Sequence, residues 1–364
     1  MVRVLHITGS LNINGTETFI MNVLRNIDRT KLMFDFLLYK KVTDGYEEEA
    51  RELGSIIRYY SPRRKGYRKY KQSLESFFEK YAKDYQAVHY SGNTFSEILP
   101  IKIARKYGIP IRIAHCHGIS TTGLHNKLFH LLNRRLISSV ATHCFACSEA
   151  ARNYGFRGTK AMKQAIIIKN GIELEKFKFN PATRDSKRKE LNLENNLIIG
   201  NVGGFREAKN HEFMIAIMKE ILKERPDARL ILVGDGPLKD HIKNMAVKAG
   251  IEDKIMFLGL RTDIEELLQA FDIFLFPSKY EGLGIAPIEA QAASLPVVAS
   301  SIIPQETAVS PLIQYLPLDL PASKWAHSIL NAATFDRSDK VFEKLKAFDI
   351  IETCKKLTEI YLGQ

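Results

Sequence analysis

Short β-branched runs that stop at a glycine or polar turn and give way to an amphipathic helical pattern recur along this chain, and that alternation limits its fold more than any other feature. VRVLHIT ends at Gly9, the polar loop SLNINGTE follows, and TFIMNVLRNI repeats its apolar residues at helical spacing. The pattern continues through FDFLLY (34–39), EEEARELG (47–54), SIIRYY, a helix expected over 68–82, AVHY, SEILPIKIARKYG and IRIAHCH. Strands alternating with helices imply a parallel sheet covered on both faces. A second series follows the polar stretch NPATRDSKRKELNLENN: LIIGNVG (197–203), EFMIAIMKEILKERP, ARLILVG, PLKDHIKNMAVKAG, KIMFLG, TDIEELLQAF, DIFLFPS, a helix from Pro287, and LPVVAS. A chain of 364 residues exceeds one ordinary core. The expected fold class is therefore α/β, with two Rossmann-like doubly wound domains facing across a cleft. Their spans are read as 1–180 and 181–340, with a last helix over 341–364, starting near 339, that packs back on the first domain. Ligands of open parallel sheets lie beyond the carboxyl ends of the strands, so chemistry is sought in the loops that follow them.

Charge divides unevenly between the halves. Residues 1–180 hold 30 Lys and Arg against 15 Asp and Glu, a net of +15, whereas 181–364 hold 23 against 26, a net of −3. Such a field calls for an anionic partner of the first half: a nucleic acid, an anionic lipid surface or a phosphorylated substrate. Apolar and charged fractions of 45% and 26% exclude a disordered or collagen-like chain. No apolar run is long enough to span a bilayer and MVRVLHITGS does not read as an export signal, so a cytoplasmic protein is expected. Cys116, Cys144, Cys147 and Cys354 form no disulfide framework, which suits a reducing compartment.

The most informative segment is DIFLFPSKYEGLGIAPIEAQAASLPVVAS, 272–300. Its loop runs into a helix whose Pro287 needs no amide donor in the first turn. Loop and helix start together offer backbone amides and partial positive charge to a diphosphate. Glu281 and Glu289 lie eight residues apart, and a carboxylate at the second position can accept bonds from two vicinal hydroxyls of a ribose or hexose. Taken singly, Glu289 would only complement the helix dipole and Glu281 would only be a solvated turn residue. A second segment, IIGNVGGFREAKNHEF (198–213), sets Arg206 and Lys209 on one side of a helix mouth. Two cations there can neutralise a departing diphosphate without a metal. Paired carboxylates of Asp-x-Asp type, which a metal-dependent site would prefer, do not occur in the chain.

EGLGIAPIEA resembles the Glu-x7-Glu motif of retaining GT-B glycosyltransferases, in particular the family 4 group of bacterial exopolysaccharide and capsule synthesis. The resemblance implies that Glu289 holds the donor ribose and Glu281 contacts the donor sugar, with Leu283, Gly284 and Ile285 lining the diphosphate through their backbone. The stretch from 198 resembles the family's arginine and lysine clamp, which gives Arg206 and Lys209 catalytic roles and places Gly204 at the donor. Leu258, Gly259 and Leu260 would border the base, while Gly234 and Gly236 read mainly as turn residues. In the first half, Asn14, Gly15 and Thr16 resemble a Gly-Gly-x-Glu loop with asparagine replacing one glycine, so that Gly15 would approach the diphosphate. Read without the family, that loop simply turns the chain. By the same resemblance His117, after the strand 111–115, would lie near the donor sugar, with His115 structural. Ser148 is expected to cap a helix, and KNGIE (169–173) to shape the connection between domains. Cys144 and Cys147 on one strand point to opposite faces, so no metal site is expected.

The basic excess is concentrated in YYSPRRKGYRKYKQ (59–72), with Arg63, Arg64, Lys65, Arg68 and Lys69, and in HNKLFHLLNRRLI (125–137), with Arg134 and Arg135 beside an apolar helical face. Cations interleaved with aromatics suit a membrane interface or a lipid-linked diphosphate acceptor. They also suit a polynucleotide, and a solvated basic surface gives the same pattern. The leading expectation is a retaining, metal-independent hexosyltransferase, with no cofactor, a UDP-sugar as co-substrate and a lipid-linked saccharide as acceptor. It would act at the inner face of the membrane and bind no nucleic acid. The alternative class is a non-catalytic nucleic-acid-binding protein that uses the basic half. Within enzymes, a GT-B isomerase or a glycogen-type glucosyltransferase is the remaining reading.

Overall fold

A computed structural model describes residues 1–335, 337 and 343–363. They form two compact units, Met1–Ile172 with Phe348–Gln364, and Glu173–Ala347. Each carries one wholly parallel sheet.

In the first unit the strands are β1 (Val2–Thr8), β2 (Leu32–Leu38), β3 (Ile57–Tyr59), β4 (Ala87–Gly92), β5 (Ile111–Cys116), β6 (His143–Ala146) and β7 (Ile166–Ile167). Their order is β3-β2-β1-β4-β5-β6-β7. Every residue of β2 is buried, which is why its sequence LMFDFLL does not alternate. Asp35, the polar exception, accepts a hydrogen bond from Arg3 Nε at 2.8 Å and another from the Ile56 amide at 2.8 Å. The helix Gly15–Asn26 lays Phe19, Ile20, Val23 and Leu24 on the sheet. Beside it packs the final helix, Ile350–Leu362, through Ile350, Cys354, Leu357 and Tyr361, a four-three-four spacing that makes one helical stripe. Departure and return of the chain are stitched together: the Ile172 amide donates to Phe348 O at 2.8 Å, and the Ile350 amide donates to Ile172 O at 3.0 Å. Asp349 then caps the helix through the Ile351 amide. The start near 339 and the division at 340/341 inferred from sequence lie outside the described residues.

The second unit contains β8 (Ile198–Val202), β9 (Arg229–Val233), β10 (Ile255–Gly259), β11 (Ile273–Phe276), β12 (Val297–Ser300) and β13 (Ile313–Leu316), ordered β10-β9-β8-β11-β12-β13. The polar stretch read as the boundary is not a linker. It folds as a helix, Pro181–Glu190, capped by Asn180 through the Ala182 and Thr183 amides. Its charges are structural: Arg184 and Arg188 donate to the terminal carbonyls of the helix Ile264–Ala270 and pair with Asp272, and Lys187 pairs with Asp263 at 2.9 Å. Strand order reverses direction between β8 and β11, and the loops after these two strands flank that reversal, the position where open parallel sheets bind ligands.

Candidate active site

The loops after β8, β9 and β10 are tied to one another by their backbones. The Gly203 amide donates to Val233 O (2.9 Å), the Phe205 amide to Asp235 O (3.0 Å) and the Gly234 amide to Gly259 O (2.7 Å). Gly234 has φ +137°, and a Cβ there would lie 2.4 Å from Gly203 O, so only glycine permits this approach. Gly236 lies at the same junction, which makes both glycines architectural, as their turn reading implies. Gly204 and Arg206 follow directly, with the Arg206 amide bonded to Gly204 O at 2.7 Å. The Arg206 side chain is exposed. Leu258 and Gly259 end β10, and Leu260 beyond them is exposed.

A second set of bonds joins the loop after β8 to the loop after β11. The Lys279 amide donates to Ala208 O (2.7 Å), and Asn210 Nδ2 donates to Pro277 O (3.1 Å). Asn210 occupies the left-handed region at φ 56°, ψ 43°, and is the N-cap of the helix His211–Glu224. Lys209 Nζ lies 2.6 Å from Glu281 Oε1 and 4.7 Å from the centre of the Phe276 ring. The two cations read as an equivalent pair are thus different: Arg206 is exposed, whereas Lys209 is half-buried and already neutralised by Glu281. Glu281, read as a sugar contact, is held by that lysine.

Leu283, Gly284 and Ile285 form the entry to the helix Ile285–Ala292, with Gly284 as N-cap at φ 85°. A glycine cap supplies no side-chain oxygen, so the first-turn amides are left for an outside acceptor. Glu289 is half-buried on this helix. Burial pushes its carboxyl up to about 7; the nearby charge of Glu265 adds to the rise and that of Lys209 opposes it. At neutral pH Glu289 therefore samples both an accepting carboxylate and a donating acid. Gln291 fixes the same helix, donating to Pro287 O at 2.8 Å and Thr307 O at 2.7 Å and accepting from the Val309 and Ser310 amides. Neither Asn210 nor Gln291 was singled out from sequence. An asparagine directly before a helix is the signal available for the first, while a lone glutamine in an apolar helix gives little sign of the second.

In the first unit, Gly15 opens the helix Gly15–Asn26 with Asn14 as its N-cap, and nothing lies within 4 Å of where a Gly15 Cβ would stand. His117 follows β5, held by its amide on Gly92 O at 2.9 Å. Its ring is buried, with neither nitrogen bonded among the described residues. Burial pushes its pKa down to about 3, so it is neutral at physiological pH and suits hydrogen bonding rather than proton transfer. His115 packs against it at 3.9 Å between ring centres and bonds His89, which in turn bonds the Tyr361 hydroxyl of the last helix. His6 stacks on His89 at 4.7 Å. Ser148 caps its helix through the Ala151 amide.

The basic set divides. Arg64, Lys65, Arg68, Lys69 and Arg135 are exposed. Arg63 is instead a strut, paired with Glu97 at 3.2 Å and lying over Phe129 at 5.0 Å, and Arg134 is half-buried.

Two parallel-sheet units, with glycine loops, paired charges and an uncapped helix start at the strand reversal of the second, define a GT-B glycosyltransferase. Residues 183–311 match the family model "Glycosyl transferases group 1". The chain is 34% identical over 355 residues to "Putative glycosyltransferase EpsF" of Bacillus subtilis (strain 168), covering 94% of this chain and 90% of that protein. This chain belongs to that glycosyltransferase family. It is 25% identical over 308 residues to the Escherichia coli UDP-Gal:alpha-D-GlcNAc-diphosphoundecaprenol alpha-1,3-galactosyltransferase, covering 80% of this chain and 79% of that one. Anabaena Alr3699/HepE, solved in complex with UDP and glucose, superposes with a TM-score of 0.80 at 19% identity over 100% of both chains, a likeness of fold. Of the two classes that the basic half left open, the family selects the enzyme.

Proposed function

We propose that this enzyme transfers a hexosyl or N-acetylhexosaminyl group from a UDP-sugar to a lipid-linked saccharide, with retention of anomeric configuration, in the synthesis of a cell-surface polysaccharide. The observation that carries the donor half is the pair of bonded loops at the β8/β11 reversal, where Lys209 pairs with Glu281 and the second loop runs on into the uncapped helix start at Leu283, Gly284 and Ile285, while Gly204 and Arg206 lie on the first loop. In the reaction the bond from the sugar's anomeric carbon to the diphosphate oxygen breaks, and the acceptor oxygen bonds that carbon from the same face. The acceptor's proton passes to the departing oxygen. Negative charge grows on the diphosphate as this happens, and fixed amides with two cations stabilise it without reorganising. Lys209 would exchange part of its contact with Glu281 for a phosphate oxygen, which frees Glu281 to accept from a sugar hydroxyl. Glu289 takes the ribose hydroxyls, and Leu258, Gly259 and Leu260 border the base. No divalent cation is required.

Support for the acceptor comes from the Escherichia coli relative, whose name specifies a diphosphoundecaprenol-linked sugar, and from the basic first half. Such an acceptor places the enzyme at the inner face of the membrane. The test is a panel of UDP-, GDP- and ADP-sugars, with nucleotide release followed with and without undecaprenyl-diphosphate saccharides. Release from a UDP-sugar that accelerates with one of these acceptors is expected. Release from none of the donors, or only from GDP- or ADP-sugars, would overturn the assignment.

A further inference from the structure

The helix Leu124–Val140 is amphipathic in an unusual sense, because apolar residues occupy both of its faces. Its inward face consists of His130, Ile137 and Val140, with Phe129 and Asn133 half-buried beside them. Asn133 donates to Ser96 O at 3.0 Å and His130 Nδ1 accepts the Phe95 amide at 3.0 Å, which fixes the helix on the loop after β4. On the outward face Leu124, Leu128, Leu131, Leu132 and Leu136 are 85%, 54%, 46%, 50% and 45% exposed. Positions 124, 128, 131/132 and 136 repeat at helical spacing, so these leucines form one ridge, with Arg135 beside it, rather than scattered exposed residues.

The surroundings of the ridge choose its partner. No Asp or Glu occurs between Glu97 and Glu149, while Lys127 and Arg135 stand exposed on the helix itself. Arg63, through its contact with Phe129, fastens the turn Arg63–Lys65 and the start of the helix Tyr67–Tyr81 to this helix. That segment adds exposed Arg64, Lys65, Arg68 and Lys69, and Tyr67 at 56% exposure, with no acid between Glu52 and Glu75. Glu97, a carboxylate at this junction, is occupied by Arg63. A helix of 17 residues, roughly 25 Å long, that offers leucine outward within a field of cations and an interfacial tyrosine has the composition of a helix lying in the plane of a bilayer. A protein partner would have to match both the ridge and the exposed cations beside it.

We infer that the Leu124–Val140 helix is a membrane-docking element whose leucine ridge enters the acyl boundary of an anionic bilayer, while Lys127, Arg135 and the Arg64–Lys69 cations bind its headgroups. This deepens the membrane-facing part of the proposed function and is independent of the donor chemistry. Basic residues alone would give adsorption that salt abolishes; the ridge makes attachment partly resistant to salt.

The test uses the full chain with vesicles of phosphatidylcholine, with or without about one-third phosphatidylglycerol, by co-sedimentation at low and high salt. Leu128→Asp/Leu132→Asp changes exposed positions only, and UDP binding on the same samples reports whether fold and donor site persist. Wild type is expected to bind the anionic vesicles and keep part of that binding at high salt. The double variant should bind them at least tenfold more weakly with UDP binding unchanged. In a Leu131→Trp variant the added indole should shift to the blue and be quenched by brominated lipid. Equal binding by the double variant, no binding of wild type to either vesicle, or an unquenched indole would overturn the inference. So would a wild-type dimer in solution that the double variant dissociates, because the ridge would then serve a second copy. Loss of UDP binding by wild type, with vesicle binding intact, would count against the donor assignment and leave the docking element standing.

Discussion

The two units share one architecture and use the ends of their strands in opposite ways. In the second unit the loops after β8, β9 and β10 are locked by backbone hydrogen bonds at glycines, and an ion pair and an asparagine join them to the loop after β11. In the first, the corresponding region is built from side chains: the β5 end carries His117 on top of His115, His89 and His6, all buried and all pushed to low pKa by burial. The charge balance differs as well: the first unit holds 30 Lys and Arg against 16 Asp and Glu, a net of +14, and the second 23 against 25, a net of −2. A backbone cradle recognises what every donor of a class has in common, the diphosphate, and tolerates little change. The family model matches residues 183–311, inside the second unit.

The sharpest way to break this comparison is to remove the cations of the cradle. Arg206→Ala and Lys209→Ala should each lower turnover by ~10²-fold or more with circular dichroism unchanged; near-normal rates in both would remove diphosphate stabilisation from their roles. Next in size is Gly234→Ala. The left-handed backbone and the approach to Gly203 O predict a loss on the order of 2 kcal/mol in the unfolding of the second unit. A denaturant midpoint within error of wild type would show that the loops are not locked.

Acid should weigh more on the first unit, with its buried His6, His89, His115 and His117, than on the second, where burial pushes His211 down to about 4. Free histidine titrates near 6.5, whereas His6 and His117 in the folded chain titrate at about 3. Above pH ~6.5 they are neutral folded or unfolded and contribute no pH dependence. As pH falls from there toward 3 the unfolded chain takes up protons that the folded chain does not, so stability declines across that window. Both His6 nitrogens are buried without a partner among the described residues, and the ring lies 4.2 Å from that of Phe34. His6→Leu should therefore leave stability at pH 7.5 unchanged or higher and raise it at pH 5, read by denaturant unfolding. An unchanged difference between the two pH values would show that His6 does not take part.

A smaller effect is expected at Glu289. Its carboxyl titrates near 7, so the accepting carboxylate becomes more populated between pH 6 and 8, and UDP affinity should rise several-fold over that range, to be checked by calorimetry. Glu289→Gln should bind more weakly and with a flat profile; retention of the wild-type slope would assign the titration elsewhere. The smallest expected effect is that of EDTA, which should leave transfer rates within about twofold, since the cradle neutralises the diphosphate with its own cations. Strict dependence on a divalent ion would contradict that.

Much of this layout was legible in the chain because strands buried on both faces leave long apolar runs and glycines mark their ends. VRVLHIT, ARLILVG and DIFLFPS all became central strands. Less legible was whatever depended on partners distant in sequence. The stretch from Asn180 showed only a polar division between domains, yet its Arg184 and Arg188 find Asp272 and the carbonyls of the helix before it, more than 80 residues away. β13 and the helix Ala322–Ala332 were missed, since IQYL is short and only half-buried and the helix owes its place to Trp325, which donates to Pro317 O. In the candidate site the motif glutamates and cations could be located, but not that Lys209 and Glu281 neutralise one another. Likewise, the run HNKLFHLLNRRLI showed an apolar face and cations, while only the fold reveals that its leucines point outward.

Crystallography of the protein with UDP tests the central claim most directly. Diphosphate density is expected against the amides of Leu283, Gly284 and Ile285, with Arg206 on it, Lys209 moved from Glu281 toward a phosphate oxygen, and Glu289 on the ribose hydroxyls. UDP bound at any other surface of the second unit, with the Lys209–Glu281 pair undisturbed, would contradict it.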